Sequence, residues 1–165
     1  MLINNLNNKQ LTMKTKAQFS ISEIKLNYKS RVKASDRPGI KNSQDAFELF
    51  MESWDKNSIE HIEEFKILLL NRAHKVLGIA TISSGGLTAT VIDTRLILQY
   101  ALKANATSII ACHNHPSGNL IPSEADIHIT KKMWIAMEQL DISLLDHLIL
   151  SPEEKFFSMA DEGVI

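Results

Sequence analysis

Three short apolar runs punctuate the middle of the chain: FKILLLN (65–71), VLGIATIS (76–83) and TSIIACH (107–113). Runs of this length, bounded by turn signals, suit buried strands and fall far short of the roughly 20 apolar residues that span a bilayer. The polar RAHK between the first two predicts a hairpin. Thr94 to Asn105 reads as a helix. After the third run, the loop NHPSGNLIP leads to Ser123, which opens a helix to about Leu140 with Ile127, Thr130, Trp134 and Met137 on one side. Strands around 144–150 and 155–159 close the chain. Upstream, Phe19, Ile21, Ile24, Leu26 and Tyr28 show a strand-like alternation, and Asp36-Arg37-Pro38-Gly39 reads as a loop. Ser43 then caps a helix whose apolar face carries Phe47, Phe50, Met51 and Trp54. Alternating strands and helices with at least one hairpin predict an α/β sandwich: a mixed sheet flanked by helices, in one domain over 19–165.

Composition narrows the function classes. The 165 residues carry 18 basic and 19 acidic side chains, a net charge of −1, so the chain offers no broad basic face for nonspecific duplex binding. A single cysteine excludes an internal disulfide and an all-cysteine zinc site, and fits a reducing compartment. The Asn-rich start, MLINNLNNKQLT, has no apolar export signal and reads as a disordered tail over about 1–18, with Met13 as an alternative start. A cytoplasmic location is the expectation.

The chemistry concentrates in His113-Asn114-His115-Pro116, followed by Ser123 and Asp126. Two histidines two apart at a strand's end point their imidazoles to the same side, and Asp126 lies in the first turn of the next helix. Two histidines and a carboxylate make three protein ligands and leave the fourth position of a tetrahedral zinc open, as a catalytic site requires. Iron, cobalt or nickel would also accept such donors. The blander reading of Ser123-Glu124-Ala125-Asp126 is a capping box. The two are compatible, since the serine can cap while Asp126 turns toward a metal.

H-x-H-P, six residues, Ser, two residues, Asp resembles the signature of the JAMM (MPN/JAB) metalloprotease superfamily at every position. HNHPSG, the preceding LKANATSIIACHNHPSGN and the later LDHLIL resemble its RadC branch, from about Glu63 to the C-terminus. The fold this implies is a JAB/MPN-like (cytidine-deaminase-like) α-β-α sandwich, here in a short form without the N-terminal helix-hairpin-helix region of longer RadC proteins. The resemblance implies His113, His115 and Asp126 as zinc ligands. It implies Ser123 as the serine that helps hold the water or tetrahedral intermediate, and Glu63, in preference to Glu64, as the upstream glutamate. Zinc lowers the pKa of water from about 16 to about 7, yet a nearby carboxylate must still accept the proton and pass it to the leaving amine. The activity implied is zinc-dependent hydrolysis of peptide or isopeptide bonds by a metal-activated water, with a peptide or protein as substrate. The rival readings are a non-catalytic MPN-type binding module and a DNA-repair accessory protein.

Other residues carry weaker signals. Cys112 neighbours His113, but strand alternation turns its thiol to the opposite face, where it reads as core. His147, in Leu145-Asp146-His147-Leu148, reads as a hydrogen-bonded structural histidine, with a place behind the metal site as the alternative. His61, His74 and His128 read as surface residues. Ser83-Ser84-Gly85-Gly86 reads as a plain turn, its alternative being a strand edge for a peptide to pair with.

Overall fold

In the computed structural model, residues 28–30, 32–85 and 92–165 are described. The expected tail over 1–18 and nearly all of the strand-like stretch from Phe19 lie outside them; Tyr28 is described but belongs to no strand. A 3-10 turn at Ala34–Asp36 precedes helix α1 (Ser43–Ser53), followed by β1 (Glu64–Leu70), β2 (Val76–Ser84), α2 (Thr94–Ala104), β3 (Ser108–Asn114), α3 (Glu124–Glu138), β4 (Ser143–Leu150) and β5 (Phe156–Ser158).

The five strands form one mixed sheet in the order β2-β1-β3-β4-β5. The RAHK hairpin is present. Asn71 organises it, its side-chain oxygen accepting from the backbone N–H groups of Ala73 and Lys75 while His74 takes φ +52°. β3 runs antiparallel to β1 and parallel to β4, so α3 is the crossover between two neighbouring strands. β3 sits at the centre, and all seven of its residues are buried.

The layers follow from strand alternation. Phe65, Ile67 and Leu69 of β1 with Ile109 and Ala111 of β3 face α2 and α3, where they meet Ile97, Ala101, Met133 and Met137. Leu68, Leu70, Ile110 and Cys112 face the other way, against Phe47, Phe50 and Trp54 of α1. The result is the α-β-α sandwich expected, with helices on both faces of a mixed sheet. No helix of the described residues is long and apolar enough to cross a membrane.

Three local expectations are corrected. Asn42, not Ser43, caps α1: its side chain accepts from the Asp45 N–H at 2.9 Å, and Ser43 becomes the first helical residue with its hydroxyl turned to Asp161. Ser83 and Ser84 extend β2 instead of ending it, because Ser84 pairs with Glu64 and its hydroxyl donates to that carboxylate at 3.1 Å; Gly86 lies outside the described residues. Trp134 is not on the core side of α3. Thr130, Met133 and Met137 are fully buried there, and Trp134, one helical step around, is 50% exposed.

One polar side chain ties the sheet to the loop before it. Asn114, fully buried at the end of β3, donates from Nδ2 to the carbonyls of Ile59 (2.8 Å) and Ile62 (2.9 Å) and accepts at Oδ1 from the Glu64 N–H (2.8 Å). Residues 59–64 are thereby held against the strand that carries the histidines. Asn114→Ala leaves these backbone groups without a partner, and urea denaturation is expected to show a loss of about 2–4 kcal/mol. A loss under about 0.5 kcal/mol would mean that the clamp is not needed.

Candidate metal centre

The register of the sheet builds the site. Phe65 of β1 lies opposite His113 of β3, and His113 pairs in turn with Ile149 of β4. The Phe65 ring, fully buried, stacks beside the His113 imidazole at a 6.2 Å centroid separation and meets His147 edge-on at 5.3 Å. His115 follows the strand, anchored by its backbone N–H to the Leu150 carbonyl at 2.8 Å. The loop beyond it folds back through Gly118, at φ +76°, where an added Cβ would also press on the Glu153 carboxylate. That turn delivers the Asn119 carbonyl to Nδ1 of His115.

A carbonyl only accepts, so His115 carries its hydrogen on Nδ1 and presents the Nε2 lone pair to the site. His115 Nε2 lies 2.9 Å from His113 Nε2, and Asp126 closes the triangle, 3.2 Å from His113 Nε2 and 3.6 Å from His115 Nε2. The three ligand atoms all lie within 4.8 Å of one another. Electron-pair donors this close repel unless a cation or a proton stands among them. Two imidazole nitrogens and a carboxylate oxygen are a donor set that first-row divalent metals accept, so the residues present fit a metal ion.

The ionisation of the site reflects this crowding. The hydrogen bond to Asp126 raises the pKa of His115 above its ordinary value, against the opposing effect of burial. For Asp126, burial alone would raise the pKa, but the close His113 and His115 imidazoles, with the Ser123 hydroxyl, outweigh it and hold the carboxyl well below the usual carboxylate range. Asp126 is further fixed from the helix side. The capping box is present: Ser123 accepts the Asp126 N–H at its hydroxyl, while the Ser123 N–H (2.7 Å) and hydroxyl (2.6 Å) donate to Asp126 Oδ2. One carboxylate therefore both caps α3 and faces the histidines. The Ser123 hydroxyl spends its hydrogen on Asp126.

The two glutamates separate cleanly. Glu64 lies on the face away from the histidines, ion-paired with Lys66 at 3.4 Å and bonded by Ser84. The antiparallel register of β1 and β3, continued two steps beyond the Phe65–His113 pair and past the ends of both strands, would set Glu63 opposite His115, on the face of Phe65 and His113. Glu63 is half-buried, and its charge is among those raising the His115 pKa. Cys112 is fully buried on the α1 side; burial pushes its thiol pKa well up, which removes it as a nucleophile. His61, His74 and His128 are exposed.

His147 stands directly behind the site. Its Nε2 lies 2.8 Å from His113 Nδ1, and its Nδ1 lies 2.5 Å from the hydroxyl of Thr130. Burial, then the nearness of the His113 imidazole, pushes its pKa well down. Asp146 secures it, accepting the His147 backbone N–H at 2.7 Å and the Ser158 hydroxyl at 2.6 Å. In the sequence Thr130 shows only a place on the helix's inner face; its contact with His147 is made across the fold.

Comparison with known proteins follows this geometry. A family described as the RadC-like JAB domain matches residues 40–164. The chain belongs to the RadC-like JAB family. Among similar RadC-family proteins, a UPF0758 protein of Flavobacterium johnsoniae is 46% identical over 125 residues, covering 76% of this chain and 53% of the relative. A UPF0758 protein of Porphyromonas gingivalis is 43% identical over 103 residues, 62% of this chain and 45% of the relative. One from Clostridium kluyveri is 37% identical over 147 residues, 89% of this chain and 62% of the relative. The chain thus spans about half the length of these curated relatives. The RadC-like JAB match covers every element from α1 to β5 and the whole His-His-Asp cluster.

Metal binding at this cluster must displace the proton that His115 holds with Asp126. Because the pKa of His115 is raised, the proton competes up to a pH above the ordinary histidine value near 6.5. Zinc affinity, measured by chelator competition, is therefore expected to rise with pH, approaching tenfold per pH unit on the acid side, and to level off above that pKa. An affinity independent of pH from 5 to 8 would contradict this arrangement.

Proposed function

We propose that this chain is a zinc-dependent hydrolase of peptide or isopeptide bonds, acting on a peptide or protein substrate in the cytoplasm. The observation that carries the reading is the convergence of His113 Nε2, His115 Nε2 and an Asp126 carboxylate oxygen, a three-donor set that leaves a tetrahedral ion one vertex for water or substrate. The His113 side chain is 2% exposed, whereas those of His115 and Asp126 are 17% and 14% exposed, so the cluster reaches solvent through His115 and Asp126.

A divalent ion bound there supplies acidification of water and polarisation of a carbonyl. The remaining work falls to the protein. Glu63, whose charge is felt at His115, accepts a proton from the attacking water and returns it to the leaving amine. The Ser123 hydroxyl, now donating to Asp126 Oδ2, turns to a developing oxyanion while its backbone N–H keeps hold of the carboxylate. His113, His115 and Asp126 hold their positions throughout, fixed by strand β3, the Asn119 carbonyl and the cap of α3.

The test is cleavage of a peptide library by zinc-loaded protein, read by mass spectrometry, beside Glu63→Gln. Wild type is expected to cleave at defined bonds. Glu63→Gln is expected to keep its zinc and lose about 10²–10⁴-fold in rate, the usual worth of a general acid–base group. Full activity in Glu63→Gln would remove Glu63 as the base. Zinc-replete wild type that cleaves no peptide or isopeptide would leave a binding module as the better reading.

A further inference from the structure

The geometry points to Thr130 and His147 as positioning residues that select the tautomer of His113 and so aim its Nε2 lone pair at the metal position. The inference rests on the metal reading above and deepens it. Thr130 Oγ1 has one hydrogen and two close polar neighbours, the Asp126 carbonyl oxygen at 2.5 Å and His147 Nδ1 at 2.5 Å, with the Met159 sulfur farther off at 3.5 Å. A carbonyl oxygen can only accept, so the threonine hydrogen goes there, one helical turn back. The short contact to His147 then requires Nδ1–H of His147 to donate to Thr130.

The His147 ring is fully buried, and no carboxylate among the described residues is hydrogen-bonded to it, so it is neutral and its Nε2 is an acceptor. Among the described residues only one group faces that nitrogen, His113 Nδ1 at 2.8 Å, which must donate. His113 therefore carries its hydrogen on Nδ1, leaving the lone pair on Nε2, the atom 3.2 Å from Asp126. Each link in this chain has a single direction, dictated by the carbonyl at its end.

That carbonyl belongs to Asp126. The residue that faces His113 through its carboxylate is thus also joined to His113 from behind, through Thr130 and His147. His115 needs no such relay, since the Asn119 carbonyl meets it directly. The two histidines reach the same tautomer by different routes. His113 is too deep in the sheet for a loop carbonyl to reach, so a buried hydroxyl and a second imidazole stand in for one.

Thr130→Val keeps the shape and removes the hydroxyl. His147 then loses its acceptor at Nδ1 and can hold its hydrogen on Nε2, which donates to His113 Nδ1 and moves the His113 hydrogen onto Nε2. The experiment reads the His113 tautomer by nitrogen-15 NMR in metal-free protein, above the pH where the imidazoles titrate, and zinc affinity by chelator competition. Wild type is expected to show His113 hydrogen on Nδ1. Thr130→Val is expected to populate the other tautomer and bind zinc about 10–100-fold more weakly. Thr130→Ser, which restores the hydroxyl, is expected to recover both readouts.

His113 carrying its hydrogen on Nε2 in wild type would overturn the inference, whether or not the variants fold. So would Thr130→Val with the wild-type tautomer and wild-type zinc affinity. Neither readout uses a substrate, so a protein that binds zinc as described but cleaves nothing would refute the hydrolase reading and leave the relay standing. Wild type that binds no zinc would refute the metal reading, while its His113 tautomer still decides the relay.

Discussion

Three electron-pair donors meet at the end of β3 with no hydrogen of their own to reconcile them, and the surrounding structure is arranged to keep them there. Two imidazole nitrogens 2.9 Å apart with a carboxylate beside both is an arrangement that costs energy unless a cation or a proton occupies its centre. The protein supports it by fixing each donor from behind. The Asn119 carbonyl holds His115, the cap of α3 holds Asp126, and the His147–Thr130 pair holds His113. A proton shared with Asp126 offsets the repulsion in the metal-free state, which accounts for the raised pKa of His115.

The fold makes this economical. A parallel pair of neighbouring strands must be joined by a crossover, and here the crossover is α3. Its first turn lands beside the end of β3, bringing Asp126 to the histidines, and its next turn brings Thr130 to β4, where His147 pairs opposite Ala111. The same crossover thus delivers Asp126 and the support for His113. On the other side, β1 runs antiparallel to β3, so the chain entering β1 lies beside the chain leaving β3, and the charge of Glu63 is felt at His115.

Much of this was legible in the sequence because the main signals are local. His113 and His115 share a strand face by alternation, and Asp126 follows Ser123 at cap spacing, so the cluster could be read from residues within fourteen positions. The hairpin of β1 and β2 was readable from two apolar runs around RAHK. What escaped depends on distant partners. Thr130 and His147 are seventeen residues apart and meet only through the β3–β4 crossover. Asn114 lies between the two histidines in the sequence, but its clamp on residues 59–64 depends on partners fifty residues or more away. Helical spacing puts Trp134 near the inner face of α3, but Thr130, Met133 and Met137 fill the buried side and the large ring stays outside.

The central claim is that these donors hold one metal ion, and elemental analysis of the purified protein tests it most directly, beside His113→Ala and Asp126→Ala. The account predicts close to one zinc per chain in the wild type after excess zinc is supplied and dialysed away, and none retained at this site in either variant. A wild type that retains no metal, or variants that retain as much as the wild type, would contradict it.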